Sequence, residues 1–186
     1  MARIILITGG ARSGKSAFAE KYAGDAGSSI AYIATAQIYD EEMAQRVRLH
    51  RQRRPDSWIT FEAPYNAENA LEKALQQAGV VLFDCLTLYT SNLLLAEQAP
   101  KDNGKRAAYI LEKIDILLKT ARSGKGTVVF VTNEVGCGIV PDNALAREYR
   151  DIAGWVNQKV AELAQEVYLV VSGIPLPIKN LPNEEV

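Results

Sequence analysis

The sequence predicts an α/β fold built on a mostly parallel sheet flanked by helices. Three observations lead there. Short continuous apolar runs recur along the chain, such as Ile4-Ile5-Leu6-Ile7, Val80-Val81-Leu82-Phe83 and Val128-Val129-Phe130-Val131. Strands without polar alternation are covered on both faces, which is the situation of parallel sheets. Segments with apolar residues spaced three and four apart separate the runs, the pattern of amphipathic crossover helices. The third observation is a glycine-rich turn, Gly9-Gly10-Ala11-Arg12-Ser13-Gly14-Lys15-Ser16, placed between the first run and a helical segment. With 186 residues, no repeat, no low-complexity linker and no shift in composition, residues 1–186 read as a single domain.

The elements follow in order. Ile4–Ile7 is the first strand, and residues 17–22 open the first helix. Ile30–Ala34 is a second buried strand. Residues 40–54 read as a helix with Asp40 as its N-cap, because an aspartate before a helical run can accept a first-turn N–H. Residues 67–78 form another helix, and Val80–Phe83 is a third strand ending in Asp84. A polar break at Pro100-Lys101-Asp102-Asn103-Gly104 precedes a long helix whose buried stripe is Ile110, Ile114, Leu117, Leu118 and Ala121. Residues 127–131 are the fourth strand. Leu145, Tyr149, Ile152, Val156, Val160 and Leu163 mark one face of a further helix. Residues 167–171 are the fifth strand, and Leu176 to Lys179 add a short edge.

Composition narrows the function. Apolar residues at 48% and charged residues at 23% are those of a globular chain. A formal net charge of −1 supplies no global field for DNA or RNA. No apolar stretch reaches membrane-spanning length, and no charged-then-apolar leader precedes the first strand. The two cysteines, Cys85 and Cys137, lack metal-ligand spacing and read as reduced thiols of a cytoplasmic protein.

Residues 9–16 fit the phosphate-loop pattern G-x-x-x-x-G-K-[ST], with the strand before it and the helix after it that the pattern requires. The glycines let successive N–H groups turn toward phosphate oxygens. Lys15 brings a mobile charge to the β- and γ-phosphates, and the Ser16 hydroxyl can ligate Mg²⁺. A nucleoside triphosphate is the expected ligand. Asp84, at the end of an apolar run, is the natural second Mg²⁺ support. The segment Asn133-Glu134-Val135-Gly136-Cys137-Gly138 is either a loop against a ligand or a plain connection capped by Asp142.

The segment Arg46-Val47-Arg48-Leu49-His50-Arg51-Gln52-Arg53-Arg54-Pro55 carries five arginines and the only histidine. On a helix, Arg46, His50, Arg53 and Arg54 share one face by spacing, which predicts an imidazole within a guanidinium cluster suited to triphosphate. Neighbouring arginines disfavour the imidazolium, so the ring is expected neutral and nucleophilic. Such a ring beside a held α-phosphate can expel pyrophosphate and keep the nucleotidyl group as a phosphoramidate. An RNA-binding helix is the rival for the same cluster, weakened by the net charge and by the lack of interleaved aromatics.

Together these residues resemble the bifunctional adenosylcobinamide kinase / adenosylcobinamide-phosphate guanylyltransferase family. The likeness runs nearly end to end. It covers Thr8 to Ser16, Tyr32-Ile33-Ala34-Thr35-Ala36, Asp40 to Met43, His50-Arg51, Arg54-Pro55, Asp84-Cys85-Leu86-Thr87 and Asn92-Leu93-Leu94. Its most specific stretch is Asn133-Glu134-Val135-Gly136 with Gly138-Ile139-Val140-Pro141, Arg147, Arg150-Asp151, Gly154 and Asn157-Gln158. Val171 to Pro175 and Lys179 complete it. The resemblance implies a RecA-like P-loop fold and two reactions. One phosphorylates adenosylcobinamide with ATP or GTP. The other transfers GMP from GTP to adenosylcobinamide phosphate through a guanylylated histidine, which falls on His50. It further implies nucleotide contacts at Gly9, Gly10, Ala11, Arg12, Ser13, Gly14, Lys15 and Ser16, at Ala34, Thr35 and Ala36, at Arg51, Gln52, Arg53 and Arg54, and at Glu62 and Asp84. Glu62 is selected by the resemblance alone. A homo-oligomer, a trimer in the family, is implied as well. The alternatives are a monofunctional P-loop kinase of a small hydroxyl substrate and a nucleotide-dependent binding module.

Overall fold

The structure, a computed structural model, describes residues 1–38 and 40–180, and within them leaves aside the side chains of Glu42, Arg46 and Arg53. Seven strands form one sheet: β1 (Arg3–Thr8), β2 (Ile30–Ala34), β3 (Ile59–Glu62), β4 (Val80–Asp84), β5 (Thr127–Val131), β6 (Glu166–Val171) and β7 (Ile174–Asn180). Among the described residues six helices accompany them: α1 (Lys15–Ala26), α2 (Glu41–Arg53), α3 (Ala67–Gln77), α4 (Leu86–Leu95), α5 (Asn103–Ser123) and α6 (Ala144–Leu163). The spatial order is β3-β2-β4-β5-β1-β6-β7. Every pairing is parallel except β6 with β7, which form an antiparallel hairpin.

Alternate residues of each apolar run enter opposite halves of the core. Ile4, Leu6, Phe83 and Phe130 face the layer made by α3, α4, α5 and α6. Ile5, Ile7, Leu82 and Val129 face Ala19 and Ala23 of α1, with Phe18, Tyr22 and Trp58 packed at its margin. The long-helix stripe lies as its spacing predicts, with Ile110, Ile114, Leu117, Leu118 and Ala121 all buried. On α6 the buried stripe is Ile152, Ala153, Val156 and Val160, whereas Leu145 is exposed because the first turn overhangs the core. That helix is capped by Asn143, whose side chain accepts from the Ala146 N–H, and not by Asp142.

Strand order places the site. From β1 the chain crosses over α1 toward β2, passing β5 and β4. From β5 it crosses over α6 in the other direction to reach β6. Right-handed crossovers put those two helices on opposite faces of the sheet. A crevice therefore opens beyond the carboxyl ends of β1 and β5, the switch point at which such sheets bind ligands.

Candidate active site

The phosphate loop sits in that crevice and is held from both sides. The Glu134 N–H, just past β5, donates to the Gly9 carbonyl at 3.1 Å. The Gly173 N–H, in the β6–β7 turn, donates to the Ser13 carbonyl at 2.7 Å. Glycine is required at two loop positions. A Cβ on Gly9 would lie 2.5 Å from the Val170 carbonyl oxygen. Gly14 has φ of +95°, and its Cβ would lie 2.9 Å from Gly173 Cα. Gly10 has open space around it. Ala11 and Arg12 are exposed, the latter with a left-handed φ of 57°. No side chain caps the start of α1 among the described residues, so its first-turn N–H groups are free to meet an anion.

Lys15 Nζ donates to the Gly10 carbonyl at 3.1 Å, folded back over its own loop. Burial lowers the pKa of its ammonium, while Cys85 and Asp84 oppose that shift. The lysine of the loop thus feels the charge of the carboxylate at the end of β4. Cys85 itself is buried, and desolvation, then Asp84, pushes its thiol up to about 11. Ser16, half-buried, follows Lys15 on the first turn.

Asp84 is also the hub of a second group. Its Oδ2 accepts from the Tyr32 hydroxyl at 2.8 Å and lies 3.7 Å from His50 Nδ1. Glu20 Oε1 approaches the same nitrogen at 3.9 Å. These separations exceed hydrogen-bond length, and His50 Nδ1 has no hydrogen-bond partner among the described residues. The Arg54 guanidinium carbon stands 3.5 Å from the Tyr32 ring centroid, and Arg54 Nε donates to the His50 carbonyl at 3.0 Å. Desolvation, with Asp84 next in weight, drives the Tyr32 phenol far above its ordinary pKa, so it stays a donor.

This arrangement corrects the expected histidine environment. The ring nitrogen faces carboxylates, and the described guanidiniums turn elsewhere: Arg54 to Tyr32, Arg51 to an ion pair with Glu62, and Arg48 to Glu41. The cause is local. α2 ends at Arg53, and Arg54 is already extended at φ −86° and ψ 141°, so it leaves the helical face that spacing assigned to it. Arg46 and Arg53 lie outside the described side chains. Asp40 caps α2 as expected, accepting from the Met43 N–H at 2.7 Å. Gln52 is exposed.

Other predicted positions are distributed as follows. Arg51, Arg54 and Glu62 share an open cleft of about 480 Å³ with Pro55, Asp56, Trp58 and Thr60. Thr35 is fully buried, and its hydroxyl donates to the Cys85 carbonyl (2.9 Å) and accepts from the Cys85 N–H (2.8 Å). Its own carbonyl accepts from Asn92 Nδ2. Thr35 thus braces the end of β4, with Ala34 and Ala36 half-buried on either side. The strand-end loop after β5 is shaped from within: Glu134 accepts from the Gly136 N–H, Arg150 donates to the Gly136 carbonyl, and Arg147 to those of Pro141 and Asp142. Sequence reasoning assigned no role to Glu20, Asp56 or Trp58, and none to Tyr32 beyond the resemblance. Glu20 carried a signal, being four residues after Ser16 and hence on the same helix face.

A family model described as cobinamide kinase / cobinamide phosphate guanyltransferase matches residues 5–178. The chain belongs to this family. It is 46% identical over 181 residues to the bifunctional adenosylcobalamin biosynthesis protein CobU of Escherichia coli, covering 95% of this chain and 99% of that one. The protein of the same name from Salmonella typhimurium aligns over the same length at 46%. CobP of Pseudomonas aeruginosa is 42% identical over 177 residues, covering 95% of this chain and 98% of its own. Among solved structures, an ATPase of a bacterial type III secretion system superposes with a TM-score of 0.60 at 16% identity. The match covers 91% of this chain and 52% of that one, and it bears on the fold alone. The chain thus shares its mostly parallel sheet with that ATPase, and the glycine-rich loop after β1 lies at the switch point of the sheet.

Proposed function

We propose that the chain phosphorylates adenosylcobinamide with ATP or GTP, then transfers GMP from GTP to adenosylcobinamide phosphate through a guanylyl group carried on His50. The observation that carries this reading is the convergence on Asp84: Lys15 of the phosphate loop feels its charge, and His50 Nδ1 lies 3.7 Å from it. The single histidine of the chain also lies 3.9 Å from Glu20 of α1, the helix that the loop opens.

In the kinase reaction the free N–H groups at the start of α1 and Lys15 hold the phosphates, and the substrate hydroxyl displaces the nucleoside diphosphate at the γ-phosphorus. In the transferase reaction an imidazole nitrogen attacks the α-phosphorus, a P–N bond forms and pyrophosphate leaves. An oxygen of adenosylcobinamide phosphate then attacks the same phosphorus, the P–N bond breaks and His50 is restored. Arg51 and Glu62, which line the open cleft, are the nucleotide contacts of this reading.

Ser16 and Asp84 would hold Mg²⁺. The donor set fits, because both are oxygen ligands and Tyr32 occupies only Oδ2 of Asp84. Mg²⁺ bound to phosphates needs few protein ligands, and no group of three or more His, Cys, Asp or Glu converges among the described residues. When bound, the ion neutralises charge on the β- and γ-phosphates. A homo-oligomer, a trimer by resemblance, belongs to the same reading and is supported by Ile174, Leu176 and Ile178, exposed on the edge strand β7. A cytoplasmic setting is supported by the two free thiols. No described helix is long and apolar enough to cross a membrane.

The test is incubation with α-labelled GTP and Mg²⁺, followed by denaturing separation. Label should remain on the protein, survive base, be lost in acid and be discharged by adenosylcobinamide phosphate. His50→Ala should show no label yet keep kinase turnover. Label persisting in His50→Ala would place the nucleophile elsewhere.

A further inference from the structure

Tyr32 has been given no role beyond its place in the matched stretch Tyr32–Ala36, yet it joins Asp84 to Arg54. It is a buried residue of β2, the strand next to the edge strand β3, in register with Leu82 of β4. Its hydroxyl holds Asp84 Oδ2 at 2.8 Å, and its ring face carries the Arg54 guanidinium at 3.5 Å. Arg54 in turn bonds the His50 carbonyl at 3.0 Å, and His50 Nδ1 returns to Asp84 at 3.7 Å. Four residues from β2, β4 and the end of α2 thereby close a ring.

The ring has work to do because α2 has little else to fix it. No described side chain of α2 is buried; those of Met43, Ala44, Val47 and His50 are half-exposed and the others are open to solvent. Apolar packing therefore does little to set the helix's position, and besides the exposed Arg51–Glu62 pair with β3 its described tie to the sheet is the guanidinium stacked on an aromatic face. A planar guanidinium can stack on the ring and donate Nε to a carbonyl in one geometry, which an ammonium cannot.

We infer that Tyr32 is a positioning residue for both reactions: its ring, through Arg54, sets where His50 stands, and its hydroxyl orients the Asp84 carboxylate. This rests on the reading of His50 as the guanylylated residue. The two halves of the side chain have separable effects. Tyr32→Phe keeps the ring and loses only the hydroxyl. Tyr32→Leu keeps burial and loses both. Arg54→Lys keeps the charge and loses the stack.

The experiment measures single-turnover formation of the protein–GMP adduct at saturating α-labelled GTP, GTP affinity by calorimetry at several Mg²⁺ concentrations, and thermal midpoints for each variant. Tyr32→Leu and Arg54→Lys should form adduct at least about tenfold more slowly than Tyr32→Phe, a loss of alignment appearing at saturation. The double variant Tyr32→Leu/Arg54→Lys should be no slower than the worse single one, since both break one contact. Tyr32→Phe should raise the Mg²⁺ concentration that gives half-maximal GTP affinity about threefold or more, through a less oriented carboxylate. Equal adduct rates for folded Tyr32→Leu and Tyr32→Phe would overturn the inference, as would additive losses in the double variant or an unchanged Mg²⁺ dependence in Tyr32→Phe. Should Tyr32→Leu not fold, a rate for Arg54→Lys equal to that of Tyr32→Phe overturns it equally. Absence of any adduct on His50 in the unmodified protein would instead remove the underlying reading.

Discussion

Replacing Gly9 by alanine would bring a methyl group to 2.5 Å from the Val170 carbonyl oxygen and 2.6 Å from Ser13 Oγ. The hydroxyl can rotate away, but the carbonyl belongs to the backbone of β6 and cannot. Contact must open by roughly 0.9 Å to reach ordinary van der Waals separation, a strain of the kind that costs about 1–3 kcal/mol in packed sites. The loss of backbone freedom in the unfolded chain offsets about 0.4–1 kcal/mol of that. A net destabilisation of about 1–2 kcal/mol remains, which for a chain of this size lowers the melting midpoint by about 2–8 °C. The strained loop should also present its N–H groups poorly, so GTP should raise the midpoint of Gly9→Ala less than that of the unmodified protein. Gly10→Ala is the internal control for folding, since nothing lies within 4 Å of its Cβ. Thermal unfolding followed by circular dichroism, with and without GTP, reads both effects. Equal midpoints for Gly9→Ala and the unmodified protein would refute the reasoning, as would equal losses for Gly9→Ala and Gly10→Ala.

Lys15→Ala should lower kinase turnover by the equivalent of about 2–4 kcal/mol, the scale of losing a strong electrostatic donor, while steady-state assays at raised GTP fail to restore it. Arg51→Ala should weaken GTP binding by calorimetry because Arg51 pairs with Glu62 at the cleft rim, and a generic RNA should not compete at physiological salt. Thiol titration of the native protein near pH 8 should modify exposed Cys137 and leave buried Cys85 unreacted until denaturant is added. Alkaline stability carries the same signature. The unfolded Cys85 thiol ionises near its ordinary pKa of about 9 while the folded one holds its proton up to about 11. The unfolded state therefore gains as pH rises through that window, and Cys85→Ala should flatten the decline seen by denaturant titration.

Much of this protein was readable because its strands are dry on both faces. Ile4–Ile7, Val80–Phe83 and Val128–Val131 have to be apolar throughout, so each announces itself. Strand β3 does not, since Ile59, Thr60 and Glu62 are exposed at the sheet edge and residues 59–62 carry no burial pattern. Helix α4 was hidden for the opposite reason. It is buried over most of its circumference, Thr87, Thr90 and Asn92 included, and its more open face still carries Leu88 and Leu95, so no polar stripe distinguishes one side. Strand β7 proved longer than its short expected edge because pairing with β6, not burial, holds residues 174–180 extended. In the site, the phosphate loop and Asp84 were legible from local spacing. The carboxylate setting of His50 was not, because it joins residues from α1, α2 and β4 that are distant in sequence, and because a helix end redirected Arg54. The Arg51–Glu62 pair joins α2 to β3, a contact that spacing along one helix cannot reveal.

Strand β5 lies between β1, which delivers the phosphate loop, and β4, which delivers Asp84. Neighbouring strands stand about 4.8 Å apart, so the two halves of the site are separated by roughly 10 Å of hydrogen-bonded backbone. That span is a ruler made of peptide groups and not of side chains. Its graduation is one strand width, and no point substitution can shorten it. Mutation can change what the two banks of the site carry, while the spacing of the backbones that carry them stays set by the ladder beneath.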